Sequence, residues 1–259
     1  METELPSELR SIIGDSEWRE TFEGLSGVRI FLLQRDDNRY LKVALRGSEH
    51  DLLPEKLRLD WLQGKLSVPQ VLYFGDDTTY QYLLLTEISG WMAHDEAFKV
   101  NMPQLVRLIV AGMRQIHSIN IAECPFDQCL DRRIEAARFN LINNLVDEDD
   151  FDPERRGRSP QDLYREVLSL RPTSEDLVFT HGDYCLPNII IDPVKQVING
   201  FIDWGNAGIA DRHQDIALAA RSLAYNFGAE WVPLLFKEYG IDQIDPAKID
   251  YYKLLDEFF

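Results

Sequence analysis

Residues 181–188 read HGDYCLPN, a stretch that places a carboxylate at Asp183 and a carboxamide at Asn188, five positions later. The wider segment "LVFTHGDYCLPNIIIDPVKQVINGFIDWG" alternates short apolar runs with turn residues. That pattern predicts strand, loop, strand, turn, strand, with the two polar side chains in the first loop.

Working toward the N-terminus, "VRIFLLQRDDNRYLKVAL" (28–45) reads as two strands around the turn-prone "RDDN", an antiparallel hairpin with Lys42 in its second strand. Between Leu52 and Leu66 apolar residues recur at helical spacing (Leu53, Leu57, Trp61, Leu62), and "VPQVLYF" and "YQYLLLTEI" return to strand. After Gly90 long amphipathic helices take over in "MPQLVRLIVAGMRQIHSI", "DRRIEAARFNLINNL" and "SPQDLYREVLSL", the last with Ser159 as N-cap. "DIALAARSLAYNF" and "DPAKIDYYKLLDEFF" are also helical. An α+β chain is expected, with an antiparallel-sheet lobe over 1–87 and a larger, mainly helical lobe over 88–259. No internal repeat and no low-complexity linker interrupts it.

With 259 residues and 45% hydrophobic content, the chain can bury a sizeable core. Forty-four acidic against 27 basic residues leave a formal charge of −17, which repels nucleic acid and anionic lipid and attracts small cations. The polar start "METELPSELRS" lacks the pattern of an export signal, and no apolar run reaches membrane-spanning length. Cys124, Cys129 and Cys185 have no zinc-ligand spacing, so a reduced, cytoplasmic setting is expected.

Phosphoryl transfer needs positioning and charge neutralisation: a base for the attacking hydroxyl and ligands that hold the metal on the nucleotide phosphates. Asp183 and Asn188 have the spacing of the protein-kinase loop H-R-D-x-x-x-x-N, and "IDWG" offers Asp203 as the separate metal carboxylate. Oxygen ligands of this kind suit magnesium better than zinc. Lys42 is the candidate phosphate lysine, and Glu55 on the following helix its partner. "EGLSGVRIF" lacks G-x-G-x-x-G, yet its backbone amides and the Ser26 hydroxyl suit phosphates. His181 reads as a brace for Asp183, and Cys185 as a packing residue.

At this point the chain resembles the aminoglycoside 3'-phosphotransferases, the kanamycin and neomycin kinases of protein-kinase-like fold, over nearly its whole length. "THGDYCLPNI", "GFIDWGNAGIADRHQDIALAARSLA", "LVDEDDFD" and "LLDEFF" look like the type II enzymes. The resemblance implies transfer of the ATP γ-phosphate to an aminoglycoside 3'-hydroxyl, with Asp183 as base and Asn188 and Asp203 on Mg2+. It implies Ser26, Lys42 and Glu55 at the phosphates and backbone contacts to adenine from Thr86 to Ile88. It assigns Asp150, Asp152, Arg221, Asp256, Glu257 and the carboxylate of Phe259 to the antibiotic. Asn206 stands where these enzymes often carry arginine, and Tyr225 and Pro153 where acidic contacts are expected.

Each feature also has a plainer reading. HGD alone is a turn, a Lys and Glu pair is usually solvated, and "DEDDFDPERR" and "LLDEFF" are charge runs that solvent alone explains. Repulsion among the tail carboxylates, relieved by a polyammonium sugar, is the sharper expectation for the last. Three functions stay open: an aminoglycoside kinase, a kinase of another amino sugar or small hydroxylated metabolite, and a nucleotide-binding module without turnover. The expected partner is a small cation, without nucleic acid or membrane; a monomer is expected, with a dimer left open.

Overall fold

The computed structural model describes residues 5–21, 27–35, 37–48, 50–240 and 244–259. Packing divides the chain into two units, Met1–Gly90 with Asn199–Gly205, and Trp91–Ile198 with Asn206–Phe259.

The first unit contains α1 (Ser7–Ile13), β1 (Glu17–Thr21), β2 (Arg29–Gln34), β3 (Arg39–Leu45), α2 (Leu53–Leu62), β4 (Val71–Asp76) and β5 (Tyr80–Thr86). Its five strands form an antiparallel sheet in the order β1-β2-β3-β5-β4. The hairpin expected around "RDDN" is present, with Leu33 opposite Arg39 and Ile30 opposite Lys42. Side chains alternate across a strand, so on central β3 Leu41 and Val43 join the buried cluster of Phe31, Leu33, Tyr82 and Leu84 that α1 covers with Leu9 and Ile13. Lys42, between them, is thereby turned to the other face, where α2 presents Glu55.

The second unit begins at β6 (Trp91–Met92) and continues through α3 (Met102–His117), α4 (Leu130–Ile142), α5 (Pro160–Ser169), β7 (Leu177–Thr180) and β8 (Ile189–Asp192). Strand β9 (Val197–Phe201) carries the chain out of this unit, and it returns with β10 (Gly208–Asp211), α6 (His213–Phe227), α7 (Val232–Tyr239) and α8 (Pro246–Asp256). Helix α3 buries Leu105, Val106, Ile109, Val110, Met113 and Ile116 at helical spacing. Helix α6 is buried on most sides and packs on α8. Ser159 caps α5, its hydroxyl accepting the Asp162 N–H, as its place in the sequence predicts.

The sequence reading does not anticipate α1, α7 or β10. These elements have 7, 8 and 4 residues, too few for periodicity to identify them. Strand β10 matters most: it pairs antiparallel with β7, setting Gly208 opposite Thr180 at the mouth of the HGD loop. Among the described residues no helix is long and apolar enough to cross a membrane.

Candidate active site

In the second unit the HGD loop runs from the end of β7 to β8, and its backbone conformation depends on glycine. Gly182 has φ +83°, and a Cβ there would lie 2.1 Å from the carbonyl oxygen of Asn206. The turn Leu186–Asn188 then folds the chain back, so that Asn188 Nδ2 donates to Asp183 Oδ2 at 2.9 Å and to the Asp183 carbonyl at 3.0 Å. Five positions of separation thus become one carboxylate–carboxamide contact. With its nitrogen turned to Asp183, the Asn188 oxygen is the atom left for a cation. Asp183 is partly exposed while Asn188 is buried, so the carboxylate keeps access to solvent and its orienting partner is packed.

Helix α6 anchors this loop from beneath. Asp215, fully buried, accepts the backbone N–H of His181 at 2.8 Å and of Gly182 at 2.9 Å. Gln214 Nε2 donates to the Gly182 carbonyl at 3.0 Å, and Ser222 Oγ accepts the Leu186 N–H at 3.0 Å. Tyr184 ties the loop to α3 by donating to the Ile109 carbonyl at 2.8 Å. His181 Nδ1 lies 3.3 Å from the Asp183 N–H, the bracing contact expected of it. Burial pushes the Cys185 thiol well above its ordinary range, with the Asp183 carboxylate adding to the effect; it is an unreactive packing group. Sequence reasoning missed Asp215 and Gln214, although "DRHQD" at a helix start was a visible signal for side chains aimed at a neighbouring backbone.

In the first unit Lys42 Nζ donates to both carboxylate oxygens of Glu55, at 2.8 and 2.7 Å, and lies 3.2 Å from Asp203 Oδ1. This is no solvated surface pair: the Lys42 and Glu55 side chains are 13% and 6% exposed. Burial opposes the Lys42 charge, but Asp203 and Glu55 together hold the ammonium above the usual lysine value. Glu55 is itself raised, by burial first, with Lys42 opposing. Asp203 reaches its position through a left-handed backbone, φ +64°, uncommon for a residue other than glycine. Its side chain is 52% exposed and available to a ligand on the side away from Lys42.

The remaining nucleotide candidates lie at the end of β5. The Thr86 N–H goes to the Gln70 carbonyl, and the Glu87 N–H to Asn38. Ile88 follows, half-buried, just beyond the end of β5. Ser26 and Gly24 lie outside the described residues.

The residues expected to meet the antibiotic sit in the second unit, and the structure corrects their electrostatics. The carboxylates are not left to face one another alone but alternate with arginines: Arg133 3.6 Å from Asp256, Arg221 bonded to Asp256 and 4.0 Å from Asp152, and Arg155 3.1 Å from both Asp152 and Glu257. Glu257 is buried and also accepts the Asp152 N–H at 3.1 Å, so it latches the end of α8 to the acidic loop. Burial, then repulsion from Asp152, pushes the Glu257 carboxyl up to about 7. The Phe259 ring lies 3.7 Å from the buried Arg133 guanidinium. Asp150 is exposed and Tyr225 is 89% exposed. Solvent alone is the plainer reading of these charge runs, and it overlooks Arg133 and Arg221, brought in from α4 and α6, and the pairing of the loop's own Arg155 with Glu257.

Among the described residues no group of three or more His, Cys, Asp or Glu gathers as a metal cage. Each unit offers oxygen donors of the kind that a hard cation such as magnesium takes together with phosphate and water: the Asp203 carboxylate in the first and the Asn188 side-chain oxygen in the second.

These features have counterparts in known proteins. Residues 19–252 match the family model APH, described as the phosphotransferase enzyme family. An aminoglycoside 3'-phosphotransferase of Niallia circulans is 39% identical over 98% of this chain and 97% of its own. The crystal structure of a type VIII aminoglycoside-3'-phosphotransferase superposes with a TM-score of 0.87 at 32% identity, covering 97% of both chains. Aminoglycoside phosphotransferase APH(3'')-Id of Streptomyces rimosus, solved with ADP and streptomycin, gives a TM-score of 0.84 at 26% identity over 96% of this chain and 95% of its own. The α+β, protein-kinase-like fold expected from the sequence is therefore the fold of this protein. With the HGD loop clamped on α6, the Lys42–Glu55–Asp203 cluster in place and a match that spans nearly every described element, the chain belongs to the APH phosphotransferase enzyme family.

Proposed function

We propose that the chain transfers the γ-phosphate of ATP to the 3'-hydroxyl of aminoglycoside antibiotics such as kanamycin and neomycin, and so confers resistance. The observation that carries the chemistry is the contact between Asp183 and Asn188, on a loop held by α6. Relatives named for the 3'-transfer support the choice of hydroxyl.

Asp183 orients the sugar hydroxyl and takes its proton late, as the new O–P bond forms and the bond from the γ-phosphorus to the ADP oxygen breaks. Because the transition state is loose, alignment matters more than base strength. Lys42, kept charged and aimed by Glu55, binds the α- and β-phosphates, while Thr86 to Ile88 meet adenine and Ser26 covers the phosphates. Asn188 and Asp203 would hold Mg2+, which would neutralise phosphate charge. Asp150, Asp152, Arg221, Asp256, Glu257 and Phe259 bind the antibiotic, whose ammonium groups compete with the arginines for the same carboxylates. The reaction belongs in the cytoplasm, where ATP is available.

The test is ADP release from Mg·ATP with kanamycin, with a 3'-deoxy aminoglycoside beside it. Activity on kanamycin alone is expected. Asp183→Ala should lose nearly all turnover and keep nucleotide binding, whereas a protein that only binds nucleotide has no turnover to lose. Another amino sugar as acceptor is the second reading, favoured by the uncharged, exposed Tyr225 one turn beyond Arg221. Turnover on such a sugar and none on kanamycin selects it.

A further inference from the structure

Beneath the HGD loop, the carboxylate that clamps it is not the end of the hydrogen-bond chain. Asp215 Oδ2, which receives the His181 N–H, also lies 3.1 Å from Nε2 of His117 at the end of α3. His117 Nδ1 in turn lies 2.5 Å from the Tyr239 hydroxyl at the end of α7. Arg212 Nη1 donates to that hydroxyl at 3.4 Å. The donor and acceptor inventory gives the chain a direction. In the tautomer that donates from Nε2 to the Asp215 carboxylate, Nδ1 of His117 is an acceptor, and Tyr239 donates to it. Arginine only donates, so it feeds the tyrosine oxygen. Three side chains from three different segments, Arg212, Tyr239 and His117, thus point in sequence at one buried carboxylate, whose remaining capacity goes to the two amides that open the HGD loop. Burial holds the Tyr239 phenol above its ordinary range, consistent with a permanent donor.

We infer that His117 and Tyr239 are positioning residues: through Asp215 they hold the His181 and Gly182 amides, and hence Asp183, in the geometry that phosphoryl transfer requires. Neither residue touches substrate. Hydrogen bonds to a shared buried carboxylate restrict its rotation, so loss of the histidine frees Asp215 to swing, and the loop follows. Loss of alignment lowers kcat and leaves substrate affinity in place.

The inference rests on the HGD loop being catalytic for its kinetic half only; its structural half is read from amide hydrogen exchange without turnover. The side-chain amide of Gln reaches the place of Nε2, and that of Asn the place of Nδ1. His117→Gln should therefore keep slow exchange at the His181 and Gly182 amides and a kcat within about threefold of wild type, because it still donates to Asp215. His117→Asn should speed exchange at those two amides and lower kcat about tenfold or more, with both KM values unchanged. Tyr239→Phe, which removes one oxygen and preserves packing, should move the same quantities in the same direction by a smaller factor. It also decides the matter if a His117 variant does not fold. The inference is overturned if Tyr239→Phe and His117→Asn leave the two amides at wild-type exchange. It is equally overturned if Gln and Asn at position 117 act alike, or if exchange rises evenly across the second unit. Fast exchange at the two amides in a wild-type protein inactive on every acceptor would instead count against the reading of the loop.

Discussion

Gly182 shows how far one position can constrain the loop proposed to be catalytic. Its positive φ is open to glycine at little cost, and the 2.1 Å approach of a virtual Cβ to the Asn206 carbonyl leaves no room for any side chain. Gly182→Ala must therefore shift either this loop or the strand entry after Asn206, and displacement of Asp183 by about 1 Å costs on the order of 100-fold in rate. The expected outcome is a kcat lower by about that factor with nucleotide binding intact, since Lys42, Glu55 and Asp203 belong to the other unit. A variant with wild-type kcat would show that the loop tolerates the shift. Asp203 makes the same point from the opposite side: a non-glycine residue held at φ +64° keeps its carboxylate beside Lys42, where a relaxed conformation would turn it away.

At the scale of elements, the second unit is held by charges that different segments lend one another. Arg155, from the acidic loop, sits between Asp152 and Glu257 and is 8% exposed, as is Glu257 at the end of α8. Removing one member of a buried pair strands the other, so Arg155→Met should lower unfolding stability by about 3 kcal/mol, measured by urea denaturation. Adding Glu257→Gln should recover part of that loss, because the stranded charge is gone. A second substitution that only adds to the first would show that the two groups act independently. The exposed ion pairs, such as Arg165 with Asp162, contribute little by comparison.

For the whole molecule the relevant quantity is net charge. A chain at −17 attracts a polycationic antibiotic over a distance set by screening, which falls from about 30 Å at 0.01 M salt to about 8 Å at 0.15 M. Over that range kcat/KM for kanamycin should fall by about tenfold while kcat at saturation stays level, because steering acts on encounter and not on the bound state. For ATP, an anion, kcat/KM should stay level or rise. Equal salt dependence for both substrates would place the effect elsewhere.

What the sequence alone determined was the chemistry and the order of the main elements. Asp183, Asn188 and Gly182 lie within one loop, and the strands of the hairpin around Lys42 are neighbours in the chain, so spacing and periodicity make them legible in one dimension. Only the tertiary structure decided which charges meet. Arg155 and Glu257 are 102 positions apart, His117 and Asp215 are 98, and Lys42 and Asp203 are 161. A count of charges carries no information about such pairings, which is why an acidic tail that reads as self-repelling is instead threaded with arginines. Nor does anything in "NGFIDWG" announce that residues 199–205 rejoin the first unit. That return brings the Asp203 carboxylate to Lys42 and Glu55, because a charged group in a buried setting is stable only where folding supplies its partners.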